Sequence, residues 1–138
     1  MPFPQIRHCL ICEATRPEPF GKMSLLGFYG VAPDVQIAVR AFGQPLQLAF
    51  VLVSGPSGEG GHYLVQFRVV DEAGAPVVQA PASPSDLAPS EKRLNLSIQV
   101  LTTFPHPGRY TMQLLVDGEP HYETDFELRE GQAGDFVG

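Results

Sequence analysis

Cys9-Leu-Ile-Cys12 is the pair whose residue types and spacing are best suited to chemistry. Two thiolates can hold a zinc ion or exchange electrons as a dithiol. A zinc site needs four ligands, yet no second CxxC and no close histidine pair follows. His8, His62, His106 and His121 are scattered, so only the fold could bring one or two of them to the thiols. Redox CxxC pairs open a helix, whose dipole lowers the thiol pKa. Cys9 and Cys12 instead lie in a strand-like run, where positions i and i+3 point to opposite faces. Two small apolar side chains packing is the plainest reading. Cys9, Cys12 and a histidine remain the ligand set of an alternative in which the protein binds a metal or small molecule, with or without catalysis.

Other chemistry is less supported. Ser54-Gly-Pro-Ser57-Gly58 is neither a strand-to-helix elbow nor GxSxG, so its serines read as turn residues. Glu123, Asp125 and Glu127 alternate as the polar face of a strand would. Gly58-Glu-Gly60-Gly61 lacks the Lys and helix of a phosphate loop. No catalytic residue and no cofactor is expected. The chain carries 9 basic and 15 acidic residues, a net charge of -6, with only Lys92-Arg93 adjacent among the basic ones. That argues against nucleic acid and anionic membrane surfaces as partners. No apolar run approaches a membrane span and no secretory leader is seen, so a cytoplasmic location is expected.

What positions these residues is a chain rich in breakers, with 14 Gly and 14 Pro. Helical bundles are thereby disfavoured. Strict alternation recurs: Leu46–Leu52, Tyr63–Val69, Leu94–Val100, Tyr110–Val116 and Tyr122–Leu128 each keep their charges off one face. Period two with one polar side means strands with a core face and a wet face. Ser90–Phe104 also fits helical spacing at Leu94, Ile98 and Leu101, but four alternate apolar positions and Thr102-Thr103 favour a strand. Asp117-Gly118 suits a tight hairpin turn. Glu72–Pro76 turns the chain into a short strand at Val77–Gln79, Gly55–Gly61 reads as a flexible loop, and Pro81–Pro89 as a crossing with one helical turn near Asp86.

With Ile6–Glu13, Lys22–Gly30 and Val35–Ala41, the count is roughly eight or nine strands. So many strands predict an all-β fold of two antiparallel sheets packed face to face. One domain over residues 1–130 and a fraying tail over 131–138 follow. Pro107-Gly108-Arg109-Tyr110 resembles the tyrosine corner of immunoglobulin-like and fibronectin-like domains, in which the Tyr hydroxyl bonds back to the preceding connection. The antibody Trp and disulfide are missing.

Ile11-Cys12-Glu13-Ala-Thr-Arg16, then Gly21-Lys22-Met-Ser24-Leu25-Leu-Gly27-Phe-Tyr29-Gly30, resembles the opening of a family of small bacterial proteins of unknown function. Its members begin Ile-Cys-Asp-x-x-Arg, followed by Gly-Lys-Leu-Ser-Leu-x-Gly-x-Tyr-Gly. The resemblance implies a sandwich and a bacterial source, and no activity. Alternation places Met23, Leu25, Gly27 and Tyr29 on one side of this segment and Leu26 with Phe28 on the other. Both sides are apolar, as in a strand covered twice or at a subunit contact. Leu26, Phe28 and Tyr29 are therefore the expected interface of a protein-binding domain, with a homo-oligomer through this segment as one form of it. Gly27 marks a bulge or a close backbone approach.

Overall fold

The computed structural model describes residues 3–136. Alternation becomes two sheets packed face to face. One holds β1 (Ile6–Pro17), β2 (Met23–Val31), β4 (Pro45–Gly58) and β8 (Ser90–Thr103) in the order β2-β1-β4-β8. The other holds β3 (Gln36–Val39), β5 (Gly61–Val70), β6 (Pro76–Gln79), β9 (Gly108–Val116) and β10 (Glu119–Glu130) in the order β3-β10-β9-β5-β6. β7 (Ser83–Leu87) also pairs with β5. No helix among the described residues is long and apolar enough to cross a membrane.

The alternate residues of facing strands fill the space between the sheets. Cys9, Ile11, Leu48, Phe50 and Leu52 come from one side; Phe67, Val69, Tyr110, Met112, Leu114, Phe126 and Leu128 come from the other. Phe50 sits at the centre, its ring 5.4 Å from Phe67 and 5.6 Å from Phe126. Tyr110 is fully buried, and its hydroxyl donates to the His106 carbonyl at 2.6 Å, as the corner sequence suggests. Tyr110→Phe removes that bond while leaving the T-shaped packing on Phe104. It should cost about 1–1.5 kcal/mol in chemical denaturation. An unchanged midpoint would mean the corner bond holds nothing.

Three local expectations need correction. Residues 83–87 are not a helical turn but the strand β7, paired from Gly61↔Leu87 to Val65↔Ser83 and tied by His62 Nδ1 to Asp86 Oδ1 at 2.7 Å. This raises the strand number among the described residues to ten. Residues 55–58 are not loop: β4 continues to Gly58, accommodating Pro56 and Gly58 with shifts of register against β8. β3 runs parallel to β10, the exception among the otherwise antiparallel pairings of the described residues, because residues 32–35 carry the chain from one sheet to the other before β3 begins. Towards the tail, Gly131 N–H donates to the Val39 carbonyl, and Arg129 pairs with Asp135 beside a turn at Ala133–Phe136. Val137 and Gly138, also assigned to the tail, lie outside the described residues, as do Met1 and Pro2.

The β1–β2 hairpin does more than extend the first sheet. Pairing of β1 with β4 ends at Cys12↔Ala49, while pairing with β2 continues to Pro17↔Met23. Beyond Cys12 the hairpin lies over the outer face of its own sheet. Met23 and Leu25 pack with Leu10 on Cys12, Ala49 and Val51, and Thr15 Oγ1 meets Ser97 Oγ of β8 at 2.9 Å. A second, smaller apolar cluster results.

Candidate functional site

With Met23 and Leu25 turned to that cluster, the intervening residues of β2 face out. Leu26 is 41% exposed, Phe28 55% and Val31 46%. At the hairpin tip, Phe20 is 97% exposed and takes a left-handed backbone at φ 64°. For a residue with a Cβ this conformation costs about 1–2 kcal/mol. Glu18 fixes the turn: its Oε1 accepts from Arg16 Nε at 2.7 Å and from Ser24 Oγ at 3.0 Å. Four of the six large apolar side chains exposed among the described residues thus fall within positions 20–31. Leu64 and Leu101 stand apart from them.

Leu26 and Phe28 lie together on this surface, but Tyr29 does not join them. Register passes from Ile11↔Gly30 to Cys12↔Phe28, which leaves Tyr29 as the extra residue of a bulge. Its ring packs inward against the main core. Gly27, at φ 63°, makes room for Glu13, whose side-chain carbons come within 2.7 Å of where a Cβ would stand. The Tyr29 hydroxyl then donates to Glu13 Oε1 at 3.4 Å. Burial, and after it the Glu13 carboxylate, pushes the Tyr29 pKa up to about 12.

Glu13 and Tyr29 form one wall of a cleft of about 500 Å³, completed by Val39, Arg40, Gln44, Leu46 and Asp135. Asp135 is held below the usual carboxylate range by hydrogen bonds from Arg129 and the Gln132 N–H. The cleft offers two carboxylates, a guanidinium and a phenol beside the apolar side chains of Val39 and Leu46. Its residues come from the hairpin base, the end of β3, the start of β4 and the tail. Nothing in their sequence spacing announces the grouping.

Cys9 and Cys12 lie on opposite faces of the first sheet. Cys9 sits opposite Leu52 in the main core, whereas Cys12, opposite Ala49, lies beneath the hairpin and donates to the Ala14 carbonyl at 3.2 Å. The histidines are engaged elsewhere. His121 Nε2 meets the Pro4 carbonyl at 2.8 Å, His106 Nδ1 the Pro107 carbonyl at 3.0 Å, and His62 meets Asp86. His8 is exposed on β1. No group of three or more His, Cys, Asp or Glu among the described residues is placed to hold a metal ion.

Burial raises both thiol pKa values, that of Cys9 to about 12 from 9.0. A folded-state pKa above the unfolded value favours the native state most below the unfolded pKa. Stability is therefore intact up to about pH 9 and is lost as pH rises towards 12. Cys9→Ala should flatten that decline in urea titrations, and native protein should resist thiol-directed disulfide reagents at pH 8. Rapid labelling of both thiols without unfolding would contradict their placement.

No curated protein matches the chain. Among solved structures, an alkylpurine DNA glycosylase AlkC of Pseudomonas fluorescens, bound to DNA containing an abasic site analogue, aligns at TM-score 0.45 and 20% identity. That alignment covers 68% of this chain and 27% of the glycosylase. A glycosyl hydrolase family 2 member of Bacteroides cellulosilyticus aligns at TM-score 0.48 and 12% identity over 91% of this chain and 25% of the hydrolase. The chain thus spans about a quarter of either protein, and neither likeness bears on activity. Residues 7–129 match the Family of unknown function (DUF6941), and the chain belongs to that family.

Proposed function

We propose that this protein is a non-enzymatic interaction module of the bacterial cytoplasm, an immunoglobulin-like sandwich that binds another protein through the outward side of its β1–β2 hairpin. One observation carries this reading: exposed large apolar side chains are concentrated at Phe20, Leu26, Phe28 and Val31. Such grouping marks contact surfaces, since scattered single residues would be ordinary. Fully burying Leu26 and Phe28 against a partner contributes roughly 1.5–3 kcal/mol each before association costs. The immunoglobulin-like description is supported by the Tyr110 corner and by β3 running parallel to β10 at the edge of its sheet. Two thiols kept apart and unpaired suit a reducing compartment. The acidic net charge of -6 points to protein rather than nucleic acid or membrane as the partner.

The test immobilises wild-type protein and the Leu26→Asp/Phe28→Asp double variant, then compares the proteins each retains from extract of the producing cell. A protein held by wild type and released by the variant, and binding again with purified components, is the expected result. Identical retention would sink the reading.

The cleft beside the hairpin favours a second reading, a small polar molecule held by Glu13, Tyr29 and Arg40. Its volume is within the range of ligand pockets. A metabolite that raises the melting temperature of wild type but not of Glu13→Gln would support it.

A further inference from the structure

The second open edge of the first sheet is β8, and it differs from every other edge strand described. β3 and β6 have four residues each and β7 five, with Pro76 opening β6 and Pro84 within β7. β2 is interrupted by Gly27, Gly30 and a bulge. β8 runs 14 residues without Gly or Pro, and its charges are confined to Glu91, Lys92 and Arg93 at one end. Sheet edges are normally protected by shortness, Pro, bulges or charge. From Asn95 to Leu101 this strand has none of these.

Its open side is incomplete in two respects. Leu94 turns its carbonyl towards β4, accepting from Ser54 Oγ at 3.4 Å. Alternation then points the N–H and C=O groups of Arg93, Asn95, Ser97, Gln99 and Leu101 away from β4, at the open edge. The inward row of Leu94, Leu96, Ile98 and Val100 is only half-buried, while Leu48, Phe50 and Leu52 on the neighbouring strand are 0% exposed. β6 reaches β8 only near one end, where Thr102 Oγ1 donates to the Val77 carbonyl at 3.5 Å.

We propose that a second copy of this chain completes that edge, β8 pairing antiparallel with β8 about a two-fold axis at Ser97. In this register the outward-pointing backbone groups map onto themselves: Ser97 faces Ser97, Asn95 faces Gln99 and Arg93 faces Leu101 of the second copy. Each pair exchanges both hydrogen bonds. Leu94 meets Val100 and Leu96 meets Ile98 on the inward side. Arg93 lays its aliphatic stem on Leu101, which is otherwise 69% exposed. No charge opposes a like charge, because Glu91, Lys92 and Arg93 face Thr103, Thr102 and Leu101. A continuous eight-stranded sheet results, with Thr15 of each copy's hairpin resting on Ser97 Oγ beside the axis. The contact uses the backbone edge of β8, whereas the one proposed for the hairpin uses Leu26 and Phe28 on its outward side.

Sedimentation at about 100 µM, where even a complex of micromolar Kd is populated, tests the proposal. Wild type should sediment as a dimer. Ser97→Asp and Ser97→Lys each put like charges across the axis and should weaken the dimer about tenfold or more, whereas their mixture should restore it as a heterodimer. Gln99→Pro removes an edge N–H without touching the ladder to β4, and should give a folded monomer. The Leu26→Asp/Phe28→Asp variant should remain dimeric. A monomeric wild type, unimpaired Ser97→Asp and Ser97→Lys homodimers, or a dimer lost only in the hairpin variant would overturn the assignment.

Discussion

Leu26→Asp/Phe28→Asp should abolish partner binding, by about 100-fold or more in Kd, while leaving the melting temperature near that of wild type. Central apolar anchors of an interface each cost about 2 kcal/mol or more when removed, and every 1.4 kcal/mol is tenfold. Two carboxylates in their place must also be desolvated on binding. Stability should change little because neither side chain belongs to a buried cluster: Met23 and Leu25, on the other side of β2, hold the hairpin to its sheet. Titration calorimetry with the partner, alongside a thermal melt, reads both halves. A variant that lost binding and melted early would show only that the hairpin is structural.

Phe50→Ala should lower the unfolding free energy by about 3–5 kcal/mol, without altering the surface on which the partner docks. Phe50 is 0% exposed and bridges the sheets through Phe67 and Phe126, so no neighbour can collapse into the space it leaves without moving a strand. For a domain of this size the loss corresponds to a fall in melting temperature of about 10–20 °C. It takes up much of the margin of about 5–15 kcal/mol typical of folded proteins. Differential scanning calorimetry measures it. A fall of only a few degrees would mean that the space between the sheets is loosely filled.

The core was readable in the sequence because period two leaves one physical solution when charges never enter the apolar row. Leu46 to Leu52 and Tyr110 to Val116 show this directly. β7 escaped for the converse reason. Ser83–Leu87 has no alternating apolar row, since an edge strand at the sandwich margin can be specified by backbone pairing with β5 and the His62–Asp86 contact. Pro56 and the glycines after it concealed the end of β4, because shifts of register let a strand carry residues that its regular interior excludes.

The hairpin surface was partly legible. Apolar residues on both sides of residues 23–29 signal double coverage, and one of those covers, the first sheet's own outer face, lies within the chain. Tyr29 was the harder residue. Alternation already sets it on the side opposite Leu26 and Phe28, and the one-residue bulge turns it to the main core, away from the cluster that Met23 and Leu25 join. The cleft had no sequence signature, because Glu13, Arg40, Gln44 and Asp135 become neighbours only after the sheets pack.

Hydrogen–deuterium exchange of the protein, free and bound to its partner, tests most directly whether the hairpin is the binding element. New protection should concentrate in residues 20–31, with the interior of β9 and β10 unchanged. Protection of residues 38–46 around the cleft, with 20–31 exchanging as in the free chain, would contradict it.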